Sequence, residues 1–456
     1  MMEQPQPESE RPFGVVSLTM LVVAGMIGSG VFTTSGFTLA AVGTPARVMI
    51  CWLVGGMIAM AGAISYGQLA RLLPESGGEY LYLSRHVHPL AGFLAGWVSL
   101  IAGFSGAIAI AAVAFERYAL PDHLRPSFLP ADTLAIGLIL ICGLLHGSSV
   151  RGGSRVHNLI VVIKLLALLA FLLVAAASIG SHTWHWRSQV GTVDGGNTPW
   201  GAMAVSVVWI SLSYAGFNAA IYVTSESRQA RSTIPRALIF GTVAVTVLYL
   251  LLNLVFVTAQ PASELAGQRD VAAIAANAIG GQSLEWLVRV AICLGLVSSV
   301  SGMTVAGPRV YAKMAEDRVF PQWFRQPDRA IRRSVGLQIG ISILLILTQR
   351  LLVTAGLLES SLQGLLDYLG TTLSFTSACC VATLLLPSVR SADTGRSRLV
   401  NAAAILYVAG TLTAIVLMLT HHTVDGQRQT LQHLSGTALT FVSGGVLWAI
   451  LRRRRR

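Results

Sequence analysis

Uncharged apolar runs recur from Val15 to Leu451, each long enough to cross about 30 Å of hydrocarbon as a helix. A backbone inside a bilayer has to satisfy its own hydrogen bonds, so only helices or a closed barrel can span it. Barrel strands alternate apolar and polar residues. The runs here are continuous, as in Leu165–Ala177 and Ile341–Leu347, so the sequence predicts an all-α membrane protein. Only 11% of the 456 residues are charged. That is less than half of the roughly 25% usual in a soluble domain, and no stretch suggests a second, soluble domain.

Twelve spans are predicted, at 14–36, 46–71, 89–117, 131–149, 156–178, 199–224, 235–258, 284–312, 335–357, 362–386, 400–420 and 434–451. The net charge of +12 invites a nucleic-acid partner, but its distribution argues against one. About 23 Lys/Arg fall on one side of these spans, about 8 on the other and one inside, which is the bias of cytoplasmic loops. The basic side holds Arg228, Arg231, Arg236, the cluster from Lys313 to Arg333, and Arg452–Arg456. An even number of crossings puts both termini on that side, expected to be cytoplasmic. Glu3, Glu8, Glu10 and three prolines in residues 1–12 are the reverse of a signal peptide's basic start, so a short tail is expected there. Cys51, Cys142, Cys293, Cys379 and Cys380 all lie in apolar runs, which predicts no structural disulfide and no cysteine metal site.

Two spans carry interruptions that a lipid-facing helix avoids. Gly25-Met26-Ile27-Gly28-Ser29-Gly30 puts three glycines in six residues at the middle of the first, and Ser211-Leu212-Ser213-Tyr214-Ala215-Gly216-Phe217-Asn218 lies midway through the sixth. Glycine costs about 1 kcal/mol in a helix interior, and Ser and Asn offer competing backbone bonds. Unwound backbone at membrane depth survives only when buried in protein or lining a wet cavity. Breaks at the first and sixth spans, corresponding positions of two five-helix halves, point to a substrate site between inverted repeats. A broken helix exposes amides at the start of its second half and carbonyls at the end of its first. Amides of Gly28, Ser29 and Gly30 would suit a carboxylate. Carbonyls near Met26 and Ile27, with those near Leu212 and Ala215, would suit an ammonium. A pocket with both is suited to an α-amino acid.

Several motifs stand in order along the chain: Gly28-Ser29-Gly30-Val31-Phe32; Pro74–Leu83 followed by Gly92–Trp97; Tyr214–Asn218 running on to Thr224-Ser225-Glu226; and Arg309–Asp317 with Pro321. Together they resemble the amino acid–polyamine–organocation transporter superfamily, over most of the chain. The sixth-span run is most similar to its L-type neutral amino acid branch. The resemblance implies a LeuT-like 5+5 inverted repeat with two additional C-terminal helices, about twelve in all. Residues 1–13 would be a cytoplasmic tail, 14–386 the ten-helix transport core, and 387–456 two extra helices and a basic C-terminus. The implied function is sodium-independent secondary transport of neutral L-amino acids across the plasma (inner) membrane by alternating access, with exchange and proton symport both open. The alternative is a polyamine or cationic amino acid transporter.

By the same resemblance Ser29 and Gly30 match carboxylate-binding positions, and Gly216 and Asn218 belong to the sixth-span substrate segment, Asn218 matching the L-type asparagine. Leu212 stands where many relatives have an aromatic gate, and Met303 where the eighth helix can face the substrate side chain. No acidic residue is expected opposite a cationic substrate group. Relatives that pair with a glycoprotein subunit use a cysteine in the outer loop after the third helix. The stretch Glu116–Asp132 has none, so no disulfide-linked partner is expected. The expected partners are an amino acid, the bilayer and, under symport, protons; no cofactor, metal or nucleic acid is expected.

Lys164, one of only two lysines, lies inside the fifth span. A charge at that depth is expensive and marks a functional site. The segment Asn158–Leu168 resembles relatives in which a fifth-helix lysine takes the place of sodium beside the broken first helix, so Lys164 is the expected coupling residue. His182, His185, His421, His422 and His433 are expected to be solvated, His146 and His157 to be interfacial, and Glu116 to be solvated at a helix end. Glu226 is expected either as a gate or in a local salt bridge with the arginines after it. No nucleotide-binding loop, metalloprotease motif or nucleophile elbow occurs, which leaves ATP-driven pumping and hydrolysis without support.

Overall fold

Helices occupy all twelve of the predicted runs. The computed structural model describes residues 13–28, 30–120, 125–148, 150–191, 199–325, 327–355, 362–392, 397–420 and 424–453. The first half comprises α1 (Val15–Met26), α2 (Gly30–Val42), α3 (Pro45–Leu72), α4 (Gly78–His86), α5 (Pro89–Val98), α6 (Ala107–Ala119), α7 (Thr133–Ser148) and α8 (Val150–Ala177). The second comprises α9 (Pro199–Ser213), α10 (Ala230–Thr258), α11 (Ala262–Leu265), α12 (Val271–Glu316), α13 (Pro327–Thr354) and α14 (Leu362–Ala382), and α15 (Pro387–Ala392), α16 (Arg398–Thr420) and α17 (Val424–Arg453) follow. Among the described residues eight helices are long and apolar enough to cross a membrane; α1 and α2 together make a ninth, and Thr133–Gly147 and Trp200–Ser213 are shorter apolar helices.

The starts of these helices follow from local chemistry. Thr44 caps α3 by accepting from the Arg47 amide, and His88 caps α5 by accepting from the Leu90 amide, each ahead of a proline at the first helical position. Proline is well placed there because that N–H has no helical partner anyway. The third span is α5 and α6 joined by a π-helical stretch, Ser99–Gly106. Such stretches interrupt α-helices, frequently at functional sites.

Packing follows the repeat. α3 packs on α10, α6 on α12 and α7 on α13, each helix of the first half against the one five spans later. The broken first and sixth spans meet through α2 and α9. The two extra spans pack on these helices, α16 against α3, α14 and α9, and α17 against α5 and α14. Without a hydrophobic drive between helices in lipid, close approach depends on small residues at the contacts. Gly56 and Gly67 of α3 illustrate it: a Cβ on the first would strike Thr246, and on the second would lie 3.1 Å from Pro235, both on α10.

Two regions differ from the sequence expectation. The stretch 259–283, expected as a loop between the seventh and eighth spans, holds α11 and the first turns of α12, with Val271, Ala272, Ala275 and Ala276 buried. Alanine-rich sequence has the highest helix propensity, and its low hydrophobicity hid the element. α12 itself is two helices meeting at Gly280 and Gly281, the latter with φ 66°. The sixth span, expected to run to 224, ends as a helix at Ser213 and continues as a 3₁₀ stretch, Ala219–Glu226.

Candidate functional site

Both predicted breaks are present and they touch. α1 stops at Met26, Ile27 leaves the helical region with ψ 87°, and α2 departs at 44° to α1. α9 stops at Ser213, and Gly216 takes φ +97°. A Cβ on Gly216 would lie 2.5 Å from the Gly25 carbonyl oxygen, and one on Gly30 would strike the Ser213 side chain. The breaks therefore pack crosswise through positions that admit no side chain, and φ +97° also disfavours any L side chain at Gly216.

The ends of both first halves converge on one residue of α10. The Tyr249 hydroxyl lies 2.6 Å from the Met26 carbonyl and 3.0 Å from the Ser213 carbonyl, the last residues of α1 and α9. Its single proton serves both of these helix-end carbonyls. Tyr249 is held in turn by Trp52 and Tyr214, with ring centroids 5.3 and 5.1 Å away. The sequence reading missed Tyr249, because nothing in its neighbourhood marks it apart from other aromatic residues in apolar runs.

Lys164 is fully buried and donates to the Ile27 carbonyl at 3.2 Å and to Ser298 Oγ at 2.8 Å. It thus ties α8 to the break in the first span and to α12, and does not snorkel. The Lys164 amine thus supplies a donor to a carbonyl that the break in the helix leaves without a helical partner.

Beside the breaks lies a cavity of about 210 Å³, lined mostly by apolar side chains. Of the candidate residues, Leu212, Ala215, Gly216, Asn218 and Met303 line it, together with Gly25. Met26, Ile27, Gly28 and Gly30 are outside this lining: Met26 accepts from the Gly28 amide at 2.9 Å as well as facing Tyr249, and Ile27 is engaged by Lys164. Ser29 lies outside the described residues. Leu212 packs on α14 at Gly370, where a Cβ would lie 2.8 Å from Leu212 Cδ2. The Leu212 carbonyl accepts the Ala215 amide at 3.0 Å. Ser99, Gly103, Phe104 and Ala107 bring the π-helical third span into the wall, a contribution that the sequence reading did not anticipate.

Contrary to expectation, a carboxylate reaches the cavity. Glu79, near the start of α4, accepts from Tyr66 at 2.9 Å and Asn218 at 2.7 Å on Oε1 and from Tyr222 at 2.8 Å on Oε2. Burial pushes this carboxyl up, against the three hydrogen bonds that favour its ionised form. The Asn218 side-chain amide is therefore committed to Glu79. The motif around Glu79 was visible in sequence, but its reach into the bundle depends on α4 turning back beneath the sixth span. Tyr66 extends the network to Ser377 of α14 at 2.8 Å and on to Tyr407 of α16 at 2.8 Å.

Several peripheral readings change. Glu116 is not solvated; it is 3% exposed, paired with Arg125 at 2.7 Å and bonded to the amides of Asp132 and Ala135. His146 and His157 are buried rather than interfacial, and both contact Ser301. Glu226 pairs across the bundle with Arg309 of α12, not with the arginines after it, through Nε at 2.5 Å and Nη2 at 3.0 Å. Lys313 reaches Glu75 at 2.8 Å on the same side. His182 is half-buried and contacts the Ala259 carbonyl at 2.8 Å. His421 and His422 lie outside the described residues.

Fold and site define an all-helical multi-pass membrane protein of the 5+5 inverted-repeat class, with two interrupted helices meeting at a small central cavity. The chain belongs to the amino acid permease family, whose pattern matches residues 13–442. It is similar to the large neutral amino acids transporter small subunit 2 of Oryctolagus cuniculus, with 29% identity over 317 residues, covering 68% of this chain and 59% of that protein. It is also similar to the Asc-type amino acid transporter 1 of Homo sapiens (27%, 64% of this chain and 57% of that one). The b(0,+)-type amino acid transporter 1 of Mus musculus is 26% identical over 66% of this chain and 62% of its own length. The aligned part of the chain thus spans less than two thirds of each of these relatives.

Proposed function

We propose that this protein moves neutral L-amino acids across a membrane by alternating access, independent of sodium, by exchange or proton symport. The observation that carries the reading is Lys164: a buried amine on the Ile27 carbonyl, at the break where a coupling ion would otherwise be needed. The mainly apolar lining supports neutral side chains, as do the names of two relatives, which describe transporters of large neutral and Asc-type amino acids. In this reading Gly28, Ser29 and Gly30 offer amides to the substrate carboxylate. Leu212, Ala215, Gly216, Asn218 and Met303 shape the remainder of the site, and Leu212 acts as the gate by moving against Gly370. The ammonium would be met by carbonyls at the breaks, with Met26 and Ile27 exchanging their present partners during the cycle.

The basic side would face the cytoplasm of a plasma (inner) membrane, as the positive-inside bias requires. Residues 14–386 would form the transport core, 387–456 an attached pair of helices, and no disulfide-linked subunit would be needed. Glu79 in the cavity wall keeps one other reading alive, that of cationic substrates. The test is uptake of radiolabelled leucine or serine into proteoliposomes preloaded with amino acid or given a pH gradient. Saturable, sodium-independent uptake lost in Lys164→Ala supports the proposal. Uptake competed by arginine or putrescine and not by leucine would replace it with the cationic reading.

A further inference from the structure

On the basic side of Lys164, three polar side chains from three helices meet inside the protein. The Ser301 hydroxyl of α12 lies 2.7 Å from His146 Nε2 of α7 and 3.2 Å from His157 Nδ1 of α8. His146 and His157 are 4% and 6% exposed and Ser301 is 2% exposed. The remaining ring nitrogens, His146 Nδ1 and His157 Nε2, are buried and have no hydrogen-bond partner among the described residues. A hydroxyl between two imidazoles donates to one and accepts from the other, so the trio is a continuous hydrogen-bonded line with one open nitrogen at each end.

The position of the line gives it direction. His157 and Lys164 are two turns apart on one face of α8, about 10 Å along the axis. Ser298, which receives Lys164, lies one turn from Ser301 on α12. At the same level α12 carries Gly302, which lines the central cavity, and a Cβ there would lie 3.3 Å from His157 Cε1. One end of the line thus reaches the cavity wall beneath Lys164. The other ends in the last turn of α7, where Arg332 of α13 already bonds the Gly147 carbonyl at 3.0 Å. The titratable groups that face the pair are Arg309 of α12 toward His146, itself paired with Glu226, and Lys164 toward His157.

We propose that His146, Ser301 and His157 form a proton relay between the Lys164 region and the basic face. A proton arriving at His157 Nε2 makes an imidazolium. The Nδ1 proton passes to Ser301 Oγ as the Ser301 proton passes to His146 Nε2, and His146 Nδ1 releases its own proton toward the basic face. One proton enters, one leaves, and both rings are neutral before and after, with their tautomers exchanged. Passage in the opposite direction is the same sequence reversed. The inference rests on the transport reading above and turns its open choice into proton coupling.

The test compares two assays on the same proteoliposomes of the full chain: counterflow of radiolabelled leucine at equal pH, which needs no net proton movement, and leucine uptake driven by a pH gradient. Ser301→Ala and His157→Gln should lower gradient-driven uptake by about tenfold or more, the scale of a lost proton-transfer group. Counterflow should stay within about twofold, and Ser301→Thr, which keeps a hydroxyl, should restore coupling. Driven uptake that survives in both variants, or counterflow falling in parallel with it, overturns the relay. A wild type with counterflow but no gradient-driven uptake overturns it as well. A wild type without counterflow of any amino acid overturns the transport reading instead. In that case ¹⁵N-histidine spectra of the detergent-solubilised chain decide the relay alone. Ser301→Ala must then shift the titration of both rings, assigned with His146→Gln and His157→Gln, and unshifted rings refute it.

Discussion

Lys164 Nζ donates to the carbonyl of Ile27 at 3.2 Å, so the lysine buried at the middle of α8 is fastened to the first residue beyond the helical turn of α1. Replacing it with methionine keeps most of the volume and leaves that carbonyl without its donor. Lys164→Met should therefore cost about 1–3 kcal/mol of stability, the usual penalty for an unsatisfied buried acceptor. It should also abolish gradient-driven uptake. Thermal unfolding in detergent measures the first effect and proteoliposome uptake the second. An unchanged unfolding temperature would remove Lys164 from the support of the break.

The crosswise contact of the breaks makes a sharper prediction. Gly216→Ala introduces a side chain at φ +97°, where L residues are disfavoured by about 1–2 kcal/mol, and aims its Cβ at the Gly25 backbone. Lower folded yield and loss of transport are expected. Gly137→Ala is the control: the residue sits in α7 with open space around its Cβ position, so alanine should be neutral or stabilising there. Equal effects of the two substitutions would refute the close approach.

Glu79 predicts a pH dependence. Burial raises its carboxyl above the unfolded value near 4.5, so the folded state binds a proton more readily than the unfolded state does. Where the native state holds more protons, stability falls as pH rises. The contribution should thus be full below the unfolded value and decline as pH climbs through the raised one. Unfolding temperatures of wild type and Glu79→Gln across this window should converge at low pH and separate at higher pH, with the wild type falling. Parallel profiles would place the titration elsewhere.

What the sequence revealed and what it hid divide along a physical line. Both breaks were legible because glycine, serine and asparagine inside an apolar run conflict with helix propensity at the position itself. Lys164 was legible because a charge in hydrocarbon is conspicuous. The partners of these features were not legible. Tyr249 is one tyrosine in an apolar run until the fold sets its hydroxyl against Met26 and Ser213. Glu79 reads as a loop carboxylate until α4 folds under the sixth span. His146 stands in the last turn of α7 and His157 two turns into α8, and only the packing of α7, α8 and α12 brings them both to Ser301. Local chemistry announces itself in sequence, whereas a contact across the bundle depends on helix register, which apolar runs barely encode.

The pair between Glu226 and Arg309 gives the last prediction. It joins the end of the 3₁₀ stretch after the sixth-span break to the last turns of α12, in a two-point geometry that a carboxylate and a guanidinium adopt together. Glu226 is about one-third exposed, so solvent weakens the pair, and a coupling energy of about 1 kcal/mol is expected from the cycle of Glu226→Gln, Arg309→Gln and the double variant. The functional effect should be larger than the energetic one. On the same side Phe13 pairs with the backbone of Glu226 and Arg228, and Lys313 holds Glu75. Losing the central pair should favour opening there. A cysteine at Ser299, which lines the cavity, reports it: in Glu226→Gln a membrane-impermeant thiol reagent applied from the basic side should label it faster than in the parent. Equal labelling rates would mean that the pair fastens two helices without guarding the route between them.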